Sequence, residues 1–202
     1  ARVELIEGLI DSRAFDAPAP KAELLAEWAP GLVPLDYERL LDRVRDHVGE
    51  RRFAYGVQLV AGATDPLAIA TGYSELAEAA LQVLADATVA EFEVAHGRIA
   101  DSELVVLALG RLGGRALTHA SHLDLIYLFT GDHLAESDGA RPLGATTYYN
   151  RLAQRVTAAM SVPTAAGKLY DVDTRLRPQG AQGPLVVTLD SFERYQREEA
   201  WT

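Results

Sequence analysis

The sequence predicts an α+β fold, in which a helical N-terminal subdomain precedes a small mixed sheet flanked by helices. Up to residue 97, apolar residues recur at steps of three and four, which is the period of an amphipathic helix. After Gly97 the pattern changes to short apolar runs bounded by turn residues, as in strands. We therefore expect a helical subdomain over residues 1–97 and a sheet-containing core over residues 98–202.

Two long helices are predicted in the first half of the chain. The APAP segment at 17–20 separates a first helix from the next, and the segment 62–66 separates the two long ones. Residues 36–52 form one amphipathic pattern, and a second begins at Leu76. Their expected apolar faces consist of Leu40, Leu41, Val44 and Val48 in the first, and of Leu76, Ala80, Val83, Ala87, Ala90 and Val94 in the second.

Strands and helices alternate in the second half. The continuous apolar run 104–110 ends in glycine and predicts a buried strand. The following expected elements are a strand at 123–129, a helix at 146–161 with Tyr148, Leu152, Val156 and Ala159 on one side, strands at 168–173 and 183–187, and a helix capped by Ser191. That helix runs to Trp201 without a terminating glycine or proline, so we expect the chain to be truncated at its C-terminus.

Composition limits the classes of partner. The chain has 202 residues, 49% of them hydrophobic, and a net charge of −10, so it is not expected to bind nucleic acid, which requires a basic surface. No apolar run approaches the roughly 18 residues of a membrane span, and no signal peptide is evident, so we expect a cytoplasmic protein. Without cysteine, a metal would be held by oxygen or imidazole ligands, which favours hard cations.

Two acidic strands predict a metal site for phosphoryl or nucleotidyl transfer. Residues 122 and 124 point to the same face of a strand and lie roughly 6.6 Å apart along it, two steps of about 3.3 Å. Asp173 on a neighbouring strand would complete a site for two metal ions about 3.5 to 4 Å apart. The alternative is that Asp124 and Asp173 cap turns or pair with Arg175 and Arg177.

A glycine pair precedes the first acidic strand. At Gly113 and Gly114, backbone N–H groups without side chains could approach phosphate oxygens, and Arg115 adds a fork of donors. A glycine pair is more often only a turn, and its spacing from Ser121 and Asp124 is what indicates a phosphate site.

The motifs resemble two nested families. GRLGGRALTHASHLDLIYLF resembles the signature of the polymerase β-type nucleotidyltransferases: a glycine pair, a spacer, then aspartate, any residue, aspartate on a strand. LYDVDTRLRPQGAQGPLV with FERYQREEAWT is similar to the glutamine synthetase adenylyltransferase family, over residues 104–202 most clearly. That enzyme has an N-terminal domain that removes AMP and a C-terminal domain that adds it. The motifs look more like the C-terminal, adenylylating domain.

The resemblance implies a set of roles. The reaction would be AMP transfer from ATP to a tyrosine hydroxyl of glutamine synthetase, with magnesium as cofactor and control by a PII signalling protein and glutamine through the full enzyme. By the same resemblance Asp124 and Asp173 are the catalytic metal ligands. The nucleotide-binding residues would be Gly113, Gly114, Arg115, Ser121, Arg175 and Arg177.

One residue departs from the family pattern, because His122 stands where the first aspartate is expected. A neutral imidazole brings no charge, whereas magnesium prefers charged oxygen ligands, so magnesium binding should be weakened. His122 either ligates the metal in place of the aspartate, or it merely faces the site or pairs with Asp124 or Asp173. The other interpretations are the AMP-removing domain of the same enzyme and a catalytically degenerate domain that binds nucleotide or a regulator without chemistry.

Overall fold

A computed structural model describes residues 15–200 of the chain. The segment predicted to form a helix ahead of the break at 17–20 lies mostly outside these residues, and so does the end of the chain at Trp201. The described part combines six α-helices with a four-stranded sheet, which confirms the predicted α+β class. None of its helices combines the length and hydropathy needed to cross a membrane.

Three helices form the first half of the described chain: α1 (Lys21–Leu32), α2 (Tyr37–Ala61) and α3 (Pro66–His96). Side-chain caps define where the two long ones begin. Asp36 accepts a hydrogen bond from the backbone N–H of Arg39 at 2.9 Å, and Asp65 accepts one from Leu67 at 3.3 Å. Gly62 ends α2 in the left-handed conformation, as a C-terminal glycine commonly does.

The predicted apolar face of α3 is wrong in its second half. Ala90 and Val94 are exposed, and the buried positions are Leu84, Thr88 and Phe92. Each step of four residues turns about 40° beyond a full helical turn, so a buried line with this step winds around the helix. The winding follows a change of partner, since α3 packs first on α2 and then on the helix that contains Tyr148.

The sheet consists of β1 (Leu104–Leu109), β2 (Leu123–Phe129), β3 (Val172–Asp173) and β4 (Val186–Thr188). β1 pairs antiparallel to β2, whereas β3 and β4 both pair parallel to β2, so the sheet is mixed as predicted. β2 is buried except at Asp124. β1 was expected to be buried, but it is half-buried throughout because it pairs with a strand on one side only.

The remaining helices are α4 (Gly110–Gly113), α5 (Ala145–Ser161) and α6 (Leu189–Glu198), with a 3-10 turn at Gly180–Gln182. α4 is a single turn that follows β1 directly. In α5 the predicted apolar side is confirmed, because Tyr148, Leu152, Val156 and Ala159 are all buried. The cap of α6 differs from the prediction: the Thr188 hydroxyl accepts a hydrogen bond from the backbone N–H of Ser191, and Ser191 lies inside the helix.

One hydrophobic core joins the helices to the sheet, and a buried arginine lies beside it. Arg45 on α2 is only 3% exposed and donates to four backbone carbonyls at 2.8 to 3.0 Å. Burial lowers the pKa of its guanidinium. The acceptors are Leu41 on α2, Ala159 and Val162 at the end of α5, and Gly167 in the following turn. The division at residue 97 stays a prediction.

We expect Arg45→Met to lower the free energy of unfolding by about 3 kcal/mol, because four carbonyls would lose a buried donor. Urea unfolding followed by circular dichroism measures the change. Arg43→Met is the control, since Arg43 is exposed on the same helix. Equal losses in the two variants would contradict a structural role for Arg45.

Candidate metal centre and cleft

Strand pairing places the two predicted carboxylates side by side. In the parallel ladder between β2 and β3, Asp124 is the direct partner of Asp173. The backbone N–H of Leu123 donates to Asp171 O at 2.8 Å and fixes this register. Because neighbouring strands lie about 4.8 Å apart, side chains in register on one face converge. The sheet thus brings together two acidic residues that are 49 positions apart in sequence.

His122 lies immediately before β2 and completes the group. Its Nε2 is 3.3 Å from Asp124 Oδ1, and the ligand atoms of His122, Asp124 and Asp173 all lie within 4.8 Å of one another. We call these three residues the candidate metal centre. The His122 side chain is 57% exposed, whereas the carboxylates of Asp124 and Asp173 are 17% and 18% exposed.

An open cleft of about 520 Å³ adjoins the candidate metal centre. Its walls come from the α4 turn, the loop that leads into β2 and the beginning of β2. In that loop the Ser121 hydroxyl accepts a hydrogen bond from the backbone N–H of Thr118 at 3.0 Å, which holds it at the cleft wall. The lining residues are Gly110, Arg111, Thr118, Ala120, Ser121, His122 and Asp124.

Gly110 permits the close approach of the α4 turn to Asp124. Its φ of +54° lies in the left-handed region, and a Cβ atom at this position would overlap Asp124 Oδ2. Sequence reasoning missed Gly110 as a site residue. The glycine at the end of the apolar run 104–110 indicated only that a strand ends there, and the contact with Asp124 depends on strand pairing.

Arg175 binds the carboxylate of Asp173 through both its side chain and its backbone. Its Nε lies 3.0 Å from each carboxylate oxygen, its Nη2 lies 2.5 Å from Oδ2, and its backbone N–H donates to Oδ1 at 2.9 Å. These hydrogen bonds lower the pKa of Asp173 to about 2. Asp173 therefore stays ionised. Because three N–H groups of Arg175 occupy most of its acceptor sites, a cation would have to share this carboxylate with Arg175.

The other predicted nucleotide-binding residues make contacts within the protein. The N–H of Gly114 donates to Gly110 O at 3.0 Å, and Gly113 packs closely on the carbonyl of Ala108. Arg115 pairs with Glu75 on α3. Arg177 donates to Thr174 O at 2.7 Å and more weakly to Gly183 O. Among the predicted nucleotide-binding residues only Ser121 lines the cleft, and the binding roles of Gly113, Gly114, Arg115, Arg175 and Arg177 stay predictions.

The donor set fits a divalent cation. Two carboxylates with low exposure offer the oxygen ligands that magnesium and manganese accept, while the imidazole of His122 favours manganese or another transition metal over magnesium. Asp124 and Asp173 can therefore hold a divalent cation, and His122 affects which cation is preferred.

An α+β domain with two carboxylates and an imidazole beside an open cleft has the donor set of a metal-dependent enzyme. The sequence profile of the glutamate-ammonia ligase adenylyltransferase family matches residues 2–202, and the chain belongs to that family.

Curated relatives carry the name bifunctional glutamine synthetase adenylyltransferase/adenylyl-removing enzyme. The relative from Mesorhizobium japonicum is 46% identical over an alignment of 203 positions, which covers 100% of this chain and 21% of the relative. The relative from Xanthobacter autotrophicus is 43% identical over an alignment of 204 positions, which again covers 100% of this chain and 21% of the relative. The relative from Brucella suis is 40% identical over 200 residues, 98% of this chain and 20% of the relative. The chain thus spans about a fifth of the length of these relatives.

We expect Gly110→Ala to weaken manganese binding about tenfold or more and to destabilise the fold by about 1 to 3 kcal/mol, because the new methyl group displaces Asp124 and strains the backbone. Calorimetric titration with Mn²⁺ and thermal unfolding measure the two effects. Gly144→Ala is the control, because its φ is −63° and nothing lies within 4 Å of the added methyl group. Unchanged manganese affinity in Gly110→Ala would contradict the assignment.

We expect Arg175→Gln to raise the pKa of Asp173 toward its ordinary value near 3.8. A lowered pKa means that ionised Asp173 favours the folded state above pH 3.8, and that this contribution is lost as the pH falls through about 2. The difference in unfolding free energy between wild type and variant should therefore be present at pH 6 and vanish near pH 2.

Carboxyl-carbon NMR titration and urea unfolding at several pH values measure both quantities for Arg175→Gln. Arg197→Gln is the control, since Arg197 is equally exposed and pairs with Glu193 on α6. A pKa of Asp173 that is the same in wild type and Arg175→Gln would show that Arg175 is not the cause.

Proposed function

We propose that this chain is a domain that transfers AMP from ATP to a tyrosine hydroxyl of glutamine synthetase, and that its fold is of the polymerase β nucleotidyltransferase type. The observation that carries the proposal is the register of Asp124 with Asp173 beside an open cleft, in a chain of this family. Control by a PII protein and glutamine, and a place in the cytoplasm, belong to the same proposal for the full-length enzyme.

The residues around the cleft have separate roles in this proposal. Asp124 and Asp173 hold a divalent cation, magnesium in the family, which when bound neutralises the triphosphate and makes the acceptor oxygen more reactive. Arg175 keeps Asp173 ionised and oriented. Ser121 and Arg111 offer a hydroxyl and a cation at the cleft wall, where phosphate oxygens would lie.

The charged residues of the cleft would orient ATP toward the acceptor. The carboxylates of Asp124 and Asp173 lie at one end of the cleft, and Arg111 lies on its wall. In the proposed complex, the triphosphate of ATP lies along Arg111. Its α-phosphate then lies near the two carboxylates. Glutamine synthetase then presents its tyrosine hydroxyl at the open side of the cleft.

We expect His122→Asp to accelerate AMP transfer by about three powers of ten, because a third carboxylate restores a charged ligand and a catalytic cation supplies several kcal/mol. The assay uses labelled ATP and unmodified glutamine synthetase. The enzyme is the Mesorhizobium japonicum relative in which this chain replaces the matching 21% of the sequence. His133→Asp is the control, because His133 lies in a turn beside Asp132. Equal rates with histidine and aspartate at residue 122 would refute the proposed role of His122.

The AMP-removing reaction is the second candidate, because the relatives are named for both activities. In that case the cleft would accept inorganic phosphate as the attacking group and the adenylylated tyrosine as substrate. Supplying phosphate with adenylylated glutamine synthetase to the same chimera, with its other nucleotidyltransferase site inactivated, separates the two reactions. AMP attachment without removal supports the proposed direction, and removal without attachment supports the alternative.

A catalytically degenerate domain is the third candidate, and His122 is the residue that favours it. Calorimetric titration with ATP in the presence and absence of magnesium distinguishes this candidate. Binding that strengthens with a divalent cation supports the proposed catalytic site, whereas ATP binding that is insensitive to magnesium and manganese supports the degenerate domain.

A further inference from the structure

Arg52 on α2 contacts the two segments that lead into the metal-bearing strands. Its Nη1 donates to the carbonyl of Leu169 at 2.9 Å, and its Nη2 donates to the carbonyl of His119. The guanidinium also lies over the ring of Tyr170, 5.1 Å from the centroid. One side chain from the helical half of the chain therefore joins two loops of the other half.

Both acceptor carbonyls lie a few residues before members of the candidate metal centre. His119 lies three residues before His122, and Leu169 lies four residues before Asp173. The two loops then enter β2 and β3, where Leu123 and Asp171 form their first hydrogen bond. A change in the separation of the two acceptor carbonyls would therefore alter the separation of the side chains that form the candidate metal centre.

The residues around Arg52 are buried or hydrogen-bonded. Tyr170 is 6% exposed, and Tyr73 on α3 donates its hydroxyl to Arg52 O at 3.2 Å. The ring of Tyr73 also packs edge-on against His119, with centroids 6.1 Å apart. The loop that leads to His122 is thus held from the helices by both ring packing and hydrogen bonding.

A second pair of contacts fastens the same loop further back. Ser74 on α3 accepts a hydrogen bond from the backbone N–H of Leu117 at 3.2 Å, and Glu75 pairs with Arg115. These contacts hold the loop to α3 alone. Arg52 differs from them because its two donors bind both loops at once.

We infer that Arg52 is a positioning residue, which sets the spacing of Asp124 and Asp173 by holding the loops before β2 and β3 together. The inference rests on the proposed function for its catalytic consequence. The planar fork of arginine reaches two carbonyls in fixed geometry, whereas a lysine ammonium is a point charge without that geometry. Charge alone should therefore not replace Arg52.

The test compares Arg52→Lys, Arg52→Gln and the control Arg51→Gln, whose parent residue lies next in sequence and pairs with Glu27 on α1. Hydrogen exchange of the backbone amides at 117–123 and 168–173 reports the loops directly and needs no bound metal. Calorimetric titration with Mn²⁺ reports the spacing of the carboxylates, and thermal unfolding reports the fold.

We expect hydrogen exchange to accelerate in both loops together in Arg52→Lys and Arg52→Gln, and manganese affinity to fall about tenfold, as for other residues that orient metal ligands. Arg51→Gln should change neither loop. Arg52→Lys should retain most of the thermal stability and still lose manganese affinity, which a purely structural role would not produce.

Faster exchange in only one loop, or unchanged exchange in both Arg52 variants, would overturn the inference. Unchanged manganese affinity in a variant whose loops do exchange faster would also overturn it. If wild type binds no manganese, the proposed function fails, and the exchange result alone decides whether Arg52 holds the two loops.

Discussion

The parallel pairing of β3 with the beginning of β2 is the constraint on which the rest of the site depends. It holds Asp124 and Asp173 in register, and two adjacent carboxylates with low exposure repel each other. The surrounding residues offset that repulsion or make room for it. Arg175 supplies a fixed positive charge to one carboxylate, and Gly110 leaves space for the other. Strand pairing, the charge of Arg175 and the backbone conformation of Gly110 therefore together keep the carboxylates of Asp124 and Asp173 side by side.

The helical half of the chain is part of that arrangement. Arg45 and Arg52 lie seven residues apart on α2, which is nearly two full turns, so they project from the same face of the helix. Arg45 binds carbonyls around the end of α5, and Arg52 binds carbonyls of the two loops before the strands. These two arginines of α2 thus supply hydrogen-bond donors to backbone carbonyls in loops and at a helix end, outside the sheet.

Much of the fold and part of the site could be predicted from sequence because local patterns specify them. Helical periodicity identified α2 and α5, and acidic residues in apolar runs identified Asp124 and Asp173. The winding face of α3, and the contacts of Gly110 and Arg52 with distant segments, could not be predicted. These features depend on which segments become neighbours in the folded chain. Periodicity or spacing within one element does not contain that information. The glycine pair is an example, because the sequence predicts that its N–H groups approach phosphate. In the structure the N–H of Gly114 donates to Gly110 O within the same turn.

The exposure of His122 has a consequence for how this domain tolerates mutation. Asp124 and Asp173 are largely enclosed and Gly110 is restricted by its backbone, so the fold limits which side chains fit at these positions. The His122 side chain is 57% exposed and lies just outside β2. Selection on stability therefore acts weakly at this position, and histidine or aspartate can be exchanged there at little cost to folding. Among the residues of the candidate metal centre, the one that folding constrains least is therefore the one that biases which cation is bound.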